Sequence, residues 1–412
     1  MTITIIVLII YAVACFVLLK REELLENSTV TVVSAILIIA AFAARYMCLD
    51  HVSQDYILFL SEWIEHYKMN GGIGALADSV GNYNIPYLTF LSIISYLNGD
   101  GLLAIKLFSI FFDILLAWGA MKITGLFRSE TKFKLFAFFA VLFLPTVIAD
   151  GAYWGQCDSV YVSLGIIGLF FGLSDRPWLS IAFIAASFAF KLQAVFLMPV
   201  YAVLWMRKKV RWYHFLVFPA VYFIMMSPAM LSGRPVIESL LLYTTQTESI
   251  GGGYSYNAPS LLAIVDAGRT TLAFLNTETA VSTVSKIATA VALALTLIIL
   301  LFAYLNRSRL NDFNTFLTAV LLVTAIPFLL PHMHDRYFFF ADILTLTLAI
   351  IDLSYLPAFI CVGGASAWVY LCYYRYVQTQ ITGPVYIGSF AVMAGLIYLL
   401  IKYFNSFKSG YT

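Results

Sequence analysis

The sequence predicts an all-α polytopic membrane protein, a helical bundle of about thirteen spans with short interfacial helices in its first large outer loop. Three observations carry the architecture. Of 412 residues, 62% are hydrophobic and 11% charged, against about 25% charged in soluble domains. Apolar runs of about 20 residues recur from end to end, each able to cross a hydrocarbon core of about 30 Å as a helix. No ten-residue alternation of apolar and polar residues repeats, which excludes a membrane β-barrel.

The expected spans are 2–19, 29–48, 101–126, 135–149, 158–174, 178–190, 192–206, 213–231, 283–305, 313–331, 337–354, 356–374 and 384–404. Segment 2–19 is apolar from its start and its charges lie behind it, the pattern of a retained first span rather than a cleaved signal peptide. Lys and Arg collect in cytoplasmic loops. Lys20 and Arg21, Arg128, Lys132 and Lys134, Arg176, Arg207 to Arg211, and Arg307 with Arg309 alternate consistently on one side of this span set. The N-terminus then faces outside. Loop 49–100, the turn 150–158, loop 232–282 and the junction 331–340 face the same way. The sequons at Asn27 and Asn306 fall on the cytoplasmic side and read as accidental. With no internal repeat, low-complexity tract or soluble linker, residues 1–412 read as one integral domain.

Composition excludes other classes. A net charge of +2 without a basic cluster gives no sign of a nucleic-acid partner. The five cysteines are scattered and form no C-x-x-C pair, so neither a disulfide framework nor a zinc site is supported. No cofactor is expected.

Loop 53–86 reads SQDYILFLSEWIEHYKMNGGIGALADSVGNYNIP. Tyr56, Phe59, Trp63 and Tyr67 recur at helical spacing, as in an interfacial helix with aromatics at headgroup level. Gly71 and Gly72 end it, and Pro86 opens a second short helix over 85–97 that lies on or dips into the membrane. Asp55 stands at the start of the first helix. It suits the helix dipole, or it serves as a general base where a lipid-linked substrate presents its reacting bond. Position 93 of the second helix, an isoleucine in this chain (Ile93), is carried as a substrate contact of undefined role.

Four further places hold polar chemistry. In the turn 150–158, Asp158 caps the following helix and Trp154 anchors at the interface, or Trp154, Gln156 and Asp158 make a sugar-contacting surface. Lys191 and Gln193 interrupt an apolar stretch. An intramembrane Lys costs about 2.5–3.5 kcal/mol on insertion scales, which snorkelling relieves and an anionic phosphate accounts for better. In Pro331-His-Met-His-Asp-Arg-Tyr337, His332, His334 and Asp335 admit a metal, but Arg336 beside two histidines suits a phosphate clamp. Lys106 and Asp113, two turns apart on one helix, suggest an ion pair, direct or through a neighbour. The run 251–259, rich in glycine, is a candidate lid.

Taken in order, Asp55-Tyr, Gly81-Asn-Tyr-Asn-Ile-Pro86, Trp154-Gly-Gln-Cys-Asp158, Phe190-Lys-Leu-Gln193 and His332-Met-His-Asp-Arg-Tyr337 resemble GT-C glycosyltransferases. The likeness runs over residues 45–342. It is nearest to the bacterial membrane proteins related to the GPI-anchor mannosyltransferase II family and to the dolichyl-phosphate-glucose-dependent glucosyltransferases. Two departures stand out: Asp335 where many relatives carry Glu, and an added first span. The resemblance implies an inverting hexosyltransferase with a polyprenyl-phosphate-linked monosaccharide as donor. The acceptor would be a lipid-linked glycan or a cell-envelope polysaccharide, with transfer on the outer face of a bacterial cytoplasmic membrane. It implies Asp55 as base and Lys191 and Arg336, assisted by His332 or His334, as holders of the donor phosphate.

Two alternatives compete. A flippase or transporter for lipid-linked sugars would show symmetry between halves, which this sequence lacks. A ligase using a polyprenyl-diphosphate glycan would need more clustered arginine than Lys191 and Arg336 provide. The topology has a direct check: single cysteines at Asn70 and Lys208, treated with an impermeant maleimide from outside, should label at 70 and not at 208. Labelling of both from the same side would overturn the topology.

Overall fold

The computed structural model describes residues 2–99, 101–243, 252–269, 271–376 (backbone only at 375 and 376) and 385–408. Among these the fold is helical throughout, and the sole β-type pairing is an isolated bridge between 256–257 and His334. Eight helices are long and apolar enough to cross a membrane, nine if the bent pair Thr131–Leu142 and Pro145–Trp154 counts as one span. The chain therefore has the architecture of a multi-pass helical membrane protein. The remaining four expected spans are shorter: Asp158–Leu173, Pro177–Phe190 and Phe339–Ile351 have 10–17 residues, and 192–206 divides into a 3-10 turn and a seven-residue helix. Sixteen residues rise only about 24 Å, less than the hydrocarbon thickness. The structure thus supports fewer full-length spans than the thirteen expected.

The helices group into two compact units. One comprises 1–170, 178–192 and 215–248, the other 171–177, 193–214 and 249–412.

In the first unit, α1 (Thr2–Arg21) and α2 (Ser28–Tyr46) form a hairpin. Asn27 accepts the Val30 N–H and caps α2, so the sequon asparagine has a structural task. α2 ends in Arg45, which is fully buried. A buried guanidinium needs a counter-charge, and Asp113 of α3 (Gly101–Phe127) supplies it. Arg45 Nε donates to Asp113 Oδ2 at 2.9 Å; Nη2 lies at the same distance from that oxygen but outside hydrogen-bond alignment. Arg45 Nη1 donates to the carbonyls of Ala41 and Leu142. The Ser159 hydroxyl donates to the other Asp113 oxygen at 2.5 Å.

Lys106 and Asp113 therefore do not pair directly, the first of the two forms that their spacing suggested. The Lys106 ammonium instead donates to the carbonyls of Cys48, Leu49 and His51 at 3.1, 2.9 and 2.6 Å. These carbonyls follow the end of α2, where helical backbone bonding has stopped. A cation there compensates both the unmet acceptors and the negative end of the helix dipole.

The loop after α2 departs from the expected surface helices in two ways. A π-helical turn at Tyr56–Leu60 leads into Ser61–Met69. The wider π turn shifts the helical phase, so the aromatics do not share one exposed face: Phe59 is 47% exposed and Tyr67 fully buried. The second helix, Ile85–Ile94, buries most of its residues and packs on Ser61–Met69, the 3-10 turn Gly72–Ala77 and the helix Val217–Leu231. It belongs to the core rather than to a surface. Its Ile93 is an exposed aliphatic side chain with no polar atom, which removes position 93 as a polar substrate contact. The phenol in that region belongs to Tyr96, whose hydroxyl donates to the Gly71 carbonyl.

In the second unit, Asp312–Leu329 is buried along almost its whole length and Phe339–Ile351 along all of it. Leu356–Tyr376 packs on Phe339–Ile351 and on Val385–Ser406. The threonines of the buried helices do not strand their hydroxyls. Thr318, Thr324, Thr345 and Thr347 each donate to the carbonyl four residues back, satisfying a polar group without leaving the helix. At one end, Asp312 collects Arg207 and Lys209 at 2.6 and 2.9 Å.

Removing one partner of the buried Arg45–Asp113 pair should cost about 3–5 kcal/mol, whereas replacing both with apolar residues should cost much less. Equilibrium unfolding in mixed micelles of Asp113→Leu, Arg45→Met and the double variant checks this; additive losses would contradict it.

Candidate functional site

In the first unit, three segments distant in sequence converge. Loop 49–100 contributes Asp55 and Tyr83, the turn 150–158 contributes Gln156 and Asp158, and the end of Pro177–Phe190 contributes Lys191. The Gln156 Nε2 donates to Asp55 Oδ2 at 2.5 Å. The Tyr83 hydroxyl donates to Gln156 Oε1 at 3.3 Å. Lys191 Nζ lies 5.8 Å from the Tyr83 ring centre and 5.4 Å from that of Tyr161, within the range of cation–π attraction. Lys191 Nζ donates to Asp158 Oδ1 at 2.7 Å. A carboxylate, an amide, a phenol and an ammonium thus form one connected chain. Asp55 itself is half-buried.

The backbone explains why these groups meet. Ile148–Trp154 is a π-helical segment ended by Gly155, whose left-handed φ of 78° favours glycine. A Cβ at Gly155 would also lie 3.3 Å from Leu102 Cδ1. The Gln156 N–H bonds to the Asp150 carbonyl at 2.9 Å, and the Ser109 hydroxyl makes a short hydrogen bond to the Gln156 carbonyl. Gln156 is therefore held from both sides, with its amide aimed at Asp55. Helix Pro177–Phe190 stops at the expected break, and the Lys191 N–H still reaches the Ser187 carbonyl. Asn84 Nδ2 donates to the Ala189 carbonyl at 2.8 Å and the Tyr243 hydroxyl to the Phe188 carbonyl at 2.6 Å. Carbonyls left open by the helix end thus find partners.

His51 stacks on Tyr153 with ring centres 3.7 Å apart. Burial, assisted by the nearby Lys106 charge, pushes its pKa down. Trp154 is 1% exposed, an enclosed wall of the turn.

The other sequence-derived site residues lie in the second unit. Gln193 is the second residue of the 3-10 turn Leu192–Phe196, and its Oε1 is buried without a hydrogen-bond donor among the described residues. His332 has a left-handed φ of 60°, uncommon for a residue other than glycine. Its N–H bonds to the Tyr254 carbonyl at 2.8 Å, and the Tyr256 N–H bonds to the Met333 carbonyl at 2.8 Å. Residues 252–260 are thereby strapped to the 331–337 junction. Gly251, at the start of the glycine run proposed as a lid, lies outside the described residues, and the rest of that run forms this strap.

His332 Nδ1 is 2.7 Å from the Gly253 carbonyl and Nε2 is 3.2 Å from Ser285 Oγ. A carbonyl can only accept, so the proton is assigned to Nδ1 and the serine donates to Nε2. His334 stacks on Tyr256 at 5.0 Å. Arg336 Nη1 is 3.6 Å from Asp335 Oδ1, and the same oxygen accepts the Arg336 N–H at 3.0 Å. No group of three His, Cys, Asp or Glu side chains suited to a metal occurs among the described residues.

Sequence reasoning missed the parts played by Tyr83, Tyr161 and Arg45. Arg45 had a readable signal, as an arginine in the last turn of an apolar span. The tyrosines had none beyond membership of an aromatic-rich sequence. Comparisons with protein-family models, with curated proteins and with solved structures gave no match.

Burial lowers the His332 pKa, outweighing the Gly253 carbonyl and Asp266, which raise it. The sign follows: a histidine kept neutral by folding contributes stability that is full above its unfolded pKa of about 6.5 and is lost as pH falls through the lower folded value. Hydrogen exchange at residues 252–260 should therefore accelerate below about pH 6, and Ser285→Ala, which removes a donor that favours the neutral ring, should weaken that acceleration. Exchange independent of pH, after correction for intrinsic rates, would contradict the assigned tautomer.

Proposed function

We propose that this protein is an inverting glycosyltransferase that moves a monosaccharide from a polyprenyl-phosphate donor to a hydroxyl of a lipid-linked glycan or cell-envelope polymer. The observation that carries the reading is the hold of Gln156 on the Asp55 carboxylate. An amide donor fixes one oxygen and leaves the charge that a general base requires. Asp55 takes the proton as the acceptor oxygen attacks the anomeric carbon. The bond from that carbon to the phosphate oxygen breaks on the opposite face, and the prenyl phosphate departs with the electron pair.

Stabilising the departing phosphate calls for fixed positive charge in a dry site. Lys191 is the candidate in the first unit, with Asp158 as its resident counter-ion and competitor for the phosphate. Arg336, assisted by His332 or His334, is the candidate in the second, and Gln193, Gln156 and Asp158 are candidate sugar contacts. The reading places transfer on the extracytoplasmic side of a bacterial cytoplasmic membrane, with thirteen segments crossing if the three shorter helices and the divided segment 192–206 are counted.

Asp55→Asn should reduce transfer from a synthetic prenyl-phosphate sugar by about 10²–10⁴-fold while donor binding stays close to normal. Glu62→Gln, an exposed acid in the same loop, should have little effect, and Lys191→Met should weaken donor binding as well as turnover. Undiminished transfer by the Asp55→Asn protein would move the base to Asp150 or Asp158.

A further inference from the structure

A second polar cluster in the first unit has no part in the proposed transfer. Helix Val217–Leu231 ends in a Schellman motif: the Arg234 N–H bonds to the Ala229 carbonyl at 3.0 Å and the Gly233 N–H to the Met230 carbonyl at 3.1 Å. Gly233 takes the left-handed conformation, at φ 107°, that the motif requires. This turn holds Arg234 inward. The Ser232 hydroxyl donates to the Ile73 carbonyl at 2.8 Å and fastens the same turn to loop 49–100.

Arg234 is 6% exposed, yet no carboxylate lies within ion-pair distance of it among the described residues. Among the described residues its side-chain hydrogen bond runs from Nη2 to the Ser79 hydroxyl at 3.2 Å, and its Nε is buried with no acceptor. A neutral hydroxyl cannot neutralise a guanidinium. Tyr67 is fully buried and its hydroxyl also lacks a partner among the described residues. Burial pushes that phenol up to about 12, with the Arg234 charge acting against the rise and Asp78 adding to it. Asp78 is committed elsewhere: its Oδ2 is 3.0 Å from His66 Nε2, and half of its side chain is open to solvent.

An unneutralised guanidinium and a spare phenol O–H are donors waiting for a multivalent acceptor. Ser79, on the exposed turn before Ile85–Ile94, gives access. We propose that Arg234, Tyr67 and Ser79 form a binding site for a phosphate oxyanion, separate from the Asp55 cluster. The guanidinium supplies Nε–H and Nη–H to two phosphate oxygens in the fork geometry that suits this anion, and the phenol and serine hydroxyls supply further donors. Tyr67 lies twelve residues beyond Asp55 in largely continuous helix, about 18 Å at helical rise.

The apolar surroundings favour a lipid headgroup as the source. Met69, Leu231 and Ile237, flanking the site residues in sequence, are 74%, 87% and 71% exposed. Apolar side chains beside a cation suit a phosphate whose acyl chains remain in the bilayer. The site would hold the loop helix Ser61–Met69 against Val217–Leu231 by filling a charge deficit between them.

The proposal is independent of the glycosyltransferase reading, because its test measures binding. The full-length protein in nonionic detergent is heated with short-chain phosphatidylglycerol, with inorganic phosphate, or with short-chain diacylglycerol as the neutral lipid. Phosphatidylglycerol should raise the midpoint of unfolding by about 2 °C or more, and diacylglycerol should not. An equal rise with inorganic phosphate would identify the free anion as sufficient. Arg234→Gln should abolish the rise, and Tyr67→Phe, which removes one hydroxyl, should reduce it in a protein that still folds. Asp55→Asn should retain it in full. No rise with either phosphate probe, or a rise undiminished in both Arg234→Gln and Tyr67→Phe, would overturn the site and leave a bridging water as the partner of these donors.

Discussion

The buried Arg45–Asp113 pair is the constraint on which the first unit depends. Neither charge is tolerable in an apolar bundle alone, and each is useful to the fold because its partner lies on a different helix. Arg45 closes the end of α2 against α3 and reaches the Leu142 carbonyl, where Thr131–Leu142 ends. Asp113 in turn holds Ser159 in the first turn of Asp158–Leu173. Four helical segments are registered by one pair of charges. Such a pair adds little net stability over a well-packed apolar alternative; here it determines which helix ends meet.

That registry has a consequence for chemistry. Lys106 sits two turns from Asp113 on α3 and gathers the carbonyls of 48, 49 and 51, fixing where the chain leaves α2. Four residues later comes Asp55. Ser109, between Lys106 and Asp113, holds the Gln156 carbonyl. One helix therefore positions both the carboxylate and the amide that contacts it. The polar groups of α3 are scaffold for the segments that carry Asp55 and Gln156. A loop carboxylate gains precision when rigid helices hold both of its flanks.

The second unit solves a similar problem differently. Its 331–337 junction follows a buried helix and has few helical partners of its own. Backbone bonds to Tyr254 and Tyr256, with the ring of His332 bridging Gly253 and Ser285, attach it to a loop that would otherwise be unsupported. Asp266 accepts the N–H groups of Tyr254 and Ser255 and faces Arg269, which stabilises the other edge of that loop. The histidines that looked like ligands in the sequence are thereby occupied in holding loop to junction.

Composition and periodicity by themselves determined the helical membrane class, the long spans, the break at Lys191 and the polar identity of the turn 150–158. Those features follow from local free energies: an apolar run of sufficient length has no other stable state in a bilayer, and a charged residue within one marks a break or a partner. Only the tertiary structure decided the partners. Spacing suggested that Lys106 and Asp113 pair, directly or through a neighbour, whereas Asp113 meets Arg45 and Lys106 meets the carbonyls of 48, 49 and 51. Helical spacing placed four aromatics on one face, and a π turn, which has no dependable sequence mark, rotated Tyr67 into the core. Pro86 announced a helix without saying whether it lay on a surface or beneath one. The link from Asp55 to Gln156 joins residues about a hundred positions apart, and no local preference encodes such a contact. It arises because long-range packing of α3 brings together two segments whose own sequences say only that they are polar.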